Sequence, residues 1–234
     1  TLPASPVSVL IVEDNAMNQK LAVAVLNRLG YASDVAENGQ KALDKLRERA
    51  YDVVLMDIQM PVMDGYETTR LIRNELRSNV PIIAMTAHAL AGERENTLHV
   101  GMNDFISKPF QMEELLRILR KHLQVVQPNE AEPEDTELPM REDRTSAFRL
   151  DYLREITADD PEAIAELLDA YVGQTPDQLH DLRQALEAED VVGIKRAAHT
   201  LKAPAKMLGL DRAAELFSEA QELAGAGASV EELR

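Results

Sequence analysis

The chain has 234 residues, of which 45% are hydrophobic and 28% charged, proportions that exclude wholesale disorder and leave room for one or two domains. It has no cysteine, which rules out disulfides, thiolate metal sites and cysteine nucleophiles, and its net charge of −16 argues against nucleic acid as a direct partner. No apolar run approaches the roughly 18 residues of a membrane span, and no apolar segment follows a basic start, so no membrane contact is expected of this segment. Thr1 stands where a start Met would, and the sequence reads as a piece of a larger protein.

Charge divides the chain. Residues 1–126 carry 16 acidic and 14 basic side chains, residues 127–144 carry 7 and 2, and residues 145–234 carry 18 and 9. The middle stretch, QPNEAEPEDTELPMREDR, has three prolines and little to bury, and reads as an extended, self-repelling linker. Residues 1–6 read as the end of another. Two domains are expected, at 7–126 and 145–234.

The first domain alternates two periodicities. Val7–Glu13 is a continuous apolar run, as a strand buried on both faces should be. Met17–Leu29 follows at helical spacing and is closed by Gly30. A short strand at Ala32–Val35 precedes a helix over Gly39–Arg49 with Asn38 as its cap. Val53–Asp57 is the third strand, with a helix over Tyr66–Asn74. Pro81–Thr86 is the fourth, with a weaker helix over Glu93–Val100. Phe105–Ser107 is the fifth, before an amphipathic helix over Met112–Leu123. Five such units in about 125 residues predict a doubly wound parallel α/β sheet with right-handed crossovers.

In open parallel sheets, ligands sit beyond the carboxyl ends of the strands. Strand one ends in Glu13 and Asp14, strand three in Asp57, strand four in Thr86, and strand five runs into Lys108 and Pro109. A lone Asp is most often a helix cap or a solvated loop residue, but five functional groups at strand ends are not. Crowded carboxylates repel, so a cation must sit among them. Hard oxygen donors on an open rim suit Mg2+, which keeps waters and takes one or two carboxylates plus a phosphate oxygen. Alternatives on similar sheets lack their motifs. No GxGxxG follows the first strand, no GxxxxGK[ST] is present, and Ile58-Gln59 after Asp57 lacks the second acid of a paired-aspartate phosphatase. Met56, Met60, Met63 and Met85 read as packing.

Residues 7–123 resemble a receiver domain of two-component signalling. The matching segments are VEDN at Val12–Asn15, LMDIQMPVMDG at Leu55–Gly65, MTA at Met85–Ala87 and SKPF at Ser107–Phe110. The resemblance implies that Asp57 is the phosphoacceptor. It further implies that Glu13, Asp14, Asp57 and the backbone carbonyl of Gln59 hold Mg2+, and that Thr86 and Lys108 contact the acyl phosphate. Lys108-Pro109 is then expected to be cis, with Phe105 at the family's aromatic switch position.

The second domain reads as helical throughout. A short helix over Ala147–Thr157 is followed by one starting at Pro161 after Asp159 and Asp160. Ile164, Leu168, Tyr171, Thr175, Leu179, Leu182 and Leu186 trace its stripe, and Pro176 is expected to bend it. A third helix, Val191–Leu208, ends at Gly209, and a fourth runs from Arg212 to about Leu223. An antiparallel bundle is expected.

On the third helix, Ile194, Ala198, Leu201, Ala205 and Leu208 form the buried stripe, and His199 lies off it. Lys195, Arg196, Lys202 and Lys206 surround that His in an otherwise acidic domain. An exposed imidazole in a basic patch is poised to accept a phosphoryl group. Residues 145–224 resemble a histidine phosphotransfer domain, with AAHTLKAPAKMLG at Ala197–Gly209 as the signature. The resemblance makes His199 a phosphoacceptor and Lys202 its neutralising partner. Ala203 stands where the family usually has Gly. Pro204 removes a bond to the Thr200 carbonyl and should kink the helix one turn past His199. The family's last long helix has little sequence to form it after Gly227, so the bundle is expected to be incomplete at its C-terminus, with apolar faces left wet unless the helix lies beyond this sequence or a partner covers them. No chemistry is assigned to His88, His99, His122 or His180.

Together these readings predict a multistep phosphorelay. An upstream kinase phosphohistidine donates to Asp57, Asp57 exchanges the group with His199, and His199 passes it to a downstream response regulator. Receiver, linker and phosphotransfer module in that order resemble the C-terminal part of a hybrid sensor histidine kinase, a cytoplasmic segment without the ATP-binding core. Two alternatives stay open: an interaction module in which His199 never turns over, and a free-standing response regulator. Whether transfer runs in cis or in trans is not legible from the sequence.

Overall fold

Strand by strand, the apolar runs alternate sides. A computed structural model describes residues 7–86, 96–108, 111–123 and 150–225. Its strands are β1 (Ser8–Val12), β2 (Ala32–Ala36), β3 (Val53–Asp57), β4 (Ile82–Thr86) and β5 (Asp104–Ser107). They form one parallel sheet in the order β2-β1-β3-β4-β5. Successive side chains point to opposite faces. Val9, Ile11, Val53, Leu55, Ile83 and Met85 therefore share one apolar cluster, and Leu10, Val12, Val54, Met56, Ile82 and Ala84 the other. Both faces are covered, which is why these strands read as unbroken apolar runs.

The first face is closed by α1 (Ala16–Arg28) and α4 (Met112–His122), the second by α2 (Gly39–Glu48) and α3 (Gly65–Asn74). Each of the first three helices starts on a side-chain cap. Asn15 accepts from the N–H groups of Met17 and Asn18, Asn38 from Lys41, and Asp64 from Glu67. Gly30, at φ +80°, follows the end of α1 as expected. The described part of the expected Glu93–Val100 helix is a single turn before Val100. The strand order reverses direction at β1, with β2 on one side and β3 on the other. That switch point opens a crevice at the carboxyl ends of β1 and β3.

The remaining helices are α5 (Asp151–Thr157), α6 (Pro161–Glu187), α7 (Val191–Met207) and α8 (Asp211–Gly225). Asp160 caps α6 with Pro161 in its first turn, and Asp190 caps α7. Both α6 and α7 run unbroken through Pro176 and Pro204. Neither expected kink interrupts its helix. The α7 stripe is as expected, with Ile194, Ala198, Leu201, Ala205 and Leu208 all buried. The α6 stripe is half-buried at Ile164, Leu168, Tyr171, Thr175, Leu182 and Leu186 and open at Leu179. Leu179 is 43% exposed and the buried positions are Leu167 and Ala185, because only part of the helix is covered by α7. Val172 and Leu216 are exposed as well.

The expected linker at 127–144, Ala147–Phe148, the peptide at Pro109 and the segment after Gly225 lie outside the described residues. The two halves of the chain share a core. Leu153, Ile156, Leu167, Ala203 and Met207 belong to the same apolar cluster as Met17, Leu21 and Val25 of α1. Among the described residues, no helix is long and apolar enough to cross a membrane.

Candidate functional site

Because β1 and β3 end side by side, the residues that follow them meet. Ligand atoms of Glu13, Asp14 and Asp57 lie within 4.8 Å of one another. Glu13 and Asp57 are buried and Asp14 is half-buried. Lys108, carried in by the end of β5, places Nζ 2.7 Å from Glu13 Oε2 and 2.7 Å from Asp57 Oδ2. Its backbone N–H donates to the carbonyl of Thr86 at 2.6 Å, tying the ends of β4 and β5 together. Thr86 is buried at the rim. The N–H of Gln59 donates to Asp57 Oδ1 at 3.2 Å, and Asn18 Nδ2 donates to Glu13 Oε1 at 2.9 Å. The five strand-end residues singled out in the sequence therefore converge, with Gln59 beside them. Phe105 packs half-buried against the second apolar cluster.

Charge does not balance here. One ammonium faces three carboxylates, so ionisation is costly. Burial, with Asp57 adding to it, pushes the Glu13 carboxyl up to about 7 despite Lys108. Burial and the neighbouring Glu13 push Asp14 up to about 6. Burial likewise raises Asp57, although Lys108 opposes it. For Lys108 burial works downward, but Asp57 and Glu13 overcome it and hold the ammonium above the ordinary lysine value. Asp57 Oδ2 receives no well-aligned hydrogen bond among the described residues despite the nearby ammonium. Hard anionic oxygens in excess of their cations fit a hard divalent cation.

A pH dependence follows. The folded chain keeps a proton on Glu13 between roughly pH 4.5 and 7 that the unfolded chain has released. Stability without a divalent cation is therefore expected to fall as pH rises through that window, by on the order of 2–3 kcal/mol. Urea unfolding at pH 5 and pH 8 in chelator checks it, and equal stabilities would contradict it.

Packing behind Asp57 is tight. A Cβ added at Gly65 would run into the Asp57 carbonyl oxygen and sit 2.9 Å from Ile58 Cα. Backbone cannot yield as a side chain can, so Gly65→Ala is expected to cost about 1–3 kcal/mol, read by urea unfolding.

His199 is not exposed as the sequence implied. It is 9% exposed, and Lys202, three residues on, is equally buried. The expected exposed imidazole is covered because α8 and the other half of the chain both close on it. Gln221 of α8 places Nε2 3.1 Å from His199 Nδ1, and the same Nε2 donates to Gln59 Oε1 at 3.2 Å. Arg196 is near enough to act on the Asp14 carboxylate, whose ionisation it favours. A cavity of about 500 Å³ opens between the halves, lined by Asp14 and Pro61 on one side and Arg196, Ala197 and Thr200 on the other. Sequence reasoning missed Gln221. The available signal was its position with Ala214 and Ala224 on the buried stripe of α8, where a polar side chain needs a partner.

Comparison with known families decides the assignment. The model described as "Response regulator receiver domain" matches residues 9–120, and that described as "Hpt domain" matches residues 166–234. The chain joins a receiver domain to an Hpt domain. Sensor protein EvgS of Escherichia coli (strain K12) is 35% identical over 213 residues, covering 91% of this chain and 16% of the relative. Signal transduction histidine-protein kinase BarA of Escherichia coli (strain K12) is 28% identical over 229 residues, covering 97% of this chain and 25% of the relative. The chain thus spans a quarter or less of these relatives. A solved receiver domain of a sensor histidine kinase from Pseudomonas aeruginosa PAO1, with magnesium ion coordinated in its active site cleft, is 45% identical. The alignment covers 51% of this chain and 99% of that one, at a TM-score of 0.47. By position, Glu13, Asp14, Asp57, Thr86 and Lys108 belong to the receiver half, and His199, Lys202 and Gln221 to the C-terminal helices α7 and α8.

Proposed function

We propose that the chain is the relay portion of a multistep phosphorelay, in which Asp57 accepts a phosphoryl group and exchanges it with His199. The observation that carries this is that Gln59, whose backbone N–H holds Asp57, accepts through its side chain from Gln221, which also contacts His199. In the first step Asp57 attacks the phosphorus of an upstream phosphohistidine, forming the O–P bond as the N–P bond breaks. Lys108 offsets charge on the phosphoryl oxygens, and Thr86 hydrogen-bonds one of them. In the second step a ring nitrogen of His199 forms the N–P bond while the acyl O–P bond breaks, restoring the Asp57 carboxylate and releasing the ring proton to solvent. Lys202 lies one turn from the ring and offsets charge there.

Glu13, Asp14, Asp57 and the carbonyl of Gln59 would hold Mg2+, whose positive charge offsets the carboxylates and polarises the phosphoryl oxygens. Because Mg2+ must displace protons from Glu13 and Asp14, its stabilisation of the fold is expected to grow with pH. Thermal melts with and without MgCl2 should differ more at pH 8 than at pH 6, and equal shifts would contradict the assignment.

The partners are a histidine kinase core upstream and a response regulator downstream, with the segment on the cytoplasmic side of a sensor protein. Residues 7–126 form the receiver unit, 127–144 the linker and 145–234 the phosphotransfer unit. The test is direct. Incubation with acetyl phosphate and MgCl2 should give two labels, a base-labile acyl phosphate and an acid-labile phosphoramidate. Absence of any Mg2+-dependent label would refute the reading.

A further inference from the structure

We infer that Arg196 binds the phosphoryl group as it passes between Asp57 and His199, a cation that the bundle supplies to the acid site of the receiver. This rests on the relay reading above and adds to it a catalytic residue.

The first observation is a deficit of positive charge. The carboxylates of Glu13, Asp14 and Asp57 share one ammonium, and Lys108 is committed to two of them at 2.7 Å each. A divalent cation held there would bring the cluster to neutrality and no further. An acyl phosphate carries one more negative charge than the carboxylate it replaces. In transfer that charge spreads over the three phosphoryl oxygens that bridge to neither acceptor. One further cation is therefore called for.

The second observation is where Arg196 stands. It lies on α7 one turn before His199, and with Asp14 it lines the cavity of about 500 Å³ between the halves. Its charge favours ionised Asp14, yet the two form no ion pair. Among the described residues its guanidinium has no hydrogen-bond partner either. Asp190, on the same wall, is spent on the N–H of Gly193 at 3.0 Å. An arginine with five donors thus stands over open space beside the acceptor pocket, in a chain of 41 acidic and 25 basic residues. A guanidinium is planar and weakly hydrated and meets phosphoryl oxygens in pairs, which suits it to this place.

The third observation is the clasp formed by Gln221, which lies 3.1 Å from His199 and donates to Gln59 at 3.2 Å. It holds the ring over the loop that follows Asp57, so a group in transit passes beside the cavity. Lys202 stands one turn after His199 and Arg196 one turn before it. Lys202 serves the ring end of the transfer and Arg196 the aspartate end. As the O–P bond to Asp57 breaks and the N–P bond to a His199 ring nitrogen forms, the ring proton leaves to solvent and Arg196 donates to a phosphoryl oxygen that bridges neither acceptor.

The experiment follows label from Asp57 to His199 in the full chain, after removal of acetyl phosphate and at one protein concentration. Arg196 is exposed, so its variants should fold. Arg196→Met keeps the stem and removes the charge, and should slow transfer by about 10²-fold. Arg196→Lys keeps the charge but not the fork, and should be slower than the wild type by about tenfold. Methylguanidinium at a concentration that leaves the chain folded should restore part of the rate lost in Arg196→Met. Tetramethylammonium at the same ionic strength should not. Transfer in Arg196→Met within about threefold of the wild type overturns the inference and leaves the relay standing. So does a loss that neither the lysine variant nor methylguanidinium relieves, which would give Arg196 a structural role only. Label that never reaches His199 in the wild type removes the relay reading itself.

Discussion

Replacing Asp57 with Asn is expected to abolish labelling of the chain by acetyl phosphate and MgCl2, by at least about 10³-fold in rate. The substitution keeps volume and shape but removes the nucleophilic oxygen, and no neighbour can substitute for it. Glu13 is buried and bound at both oxygens, one by Asn18 and the other by Lys108. Asp14 is more open, but it does not share the N–H of Gln59 that orients Asp57. Lys108 keeps Glu13 as a partner in the variant, so its ammonium is not stranded and the fold should persist. Labelling within tenfold of the wild type would place the acceptor elsewhere. Because His199 is filled from Asp57 in this account, the acid-labile phosphoramidate should vanish along with the acyl phosphate.

The second large effect is expected from His199→Gln. This variant should label at Asp57 at the wild-type rate yet pass nothing onward, with transfer to a response regulator falling by at least about 10³-fold. Glutamine retains a side-chain amide that can bond to Gln221, so the clasp to Gln59 can survive while the nucleophilic ring is lost. Separation of the two activities is the point. Loss of both would mean that the substitution disrupts the docked interface and not the relay. Onward transfer that survives in the variant would favour an interaction module in which phosphorylation of Asp57 alone changes what the bundle binds.

The receiver half was largely legible in the sequence because its signals are local. Apolar runs such as Val53–Asp57 announce strands covered on both faces, and caps such as Asn38 announce helix starts. Parallel strands also deliver their last residues to one rim, so Glu13, Asp57 and Thr86 could be placed together without contacts being known. What was illegible depends on packing between distant segments. Periodicity put His199 off the buried stripe of α7, yet it is buried. Burial comes from Gln221 and from the other half of the chain, neither of which the periodicity of α7 reports. Leu179 failed in the opposite direction, lying on an apolar stripe that α7 covers only in part. Pro176 and Pro204 lie inside helices that continue on both sides of them.

The central claim is that Asp57 carries the phosphoryl group as an acyl phosphate. Borohydride reduction of the labelled chain, followed by peptide mass spectrometry, tests it most directly, because reduction converts a phosphorylated aspartate to homoserine. The account predicts homoserine at position 57, dependent on both acetyl phosphate and MgCl2. Homoserine at position 14, or label that resists both reduction and base, would contradict it.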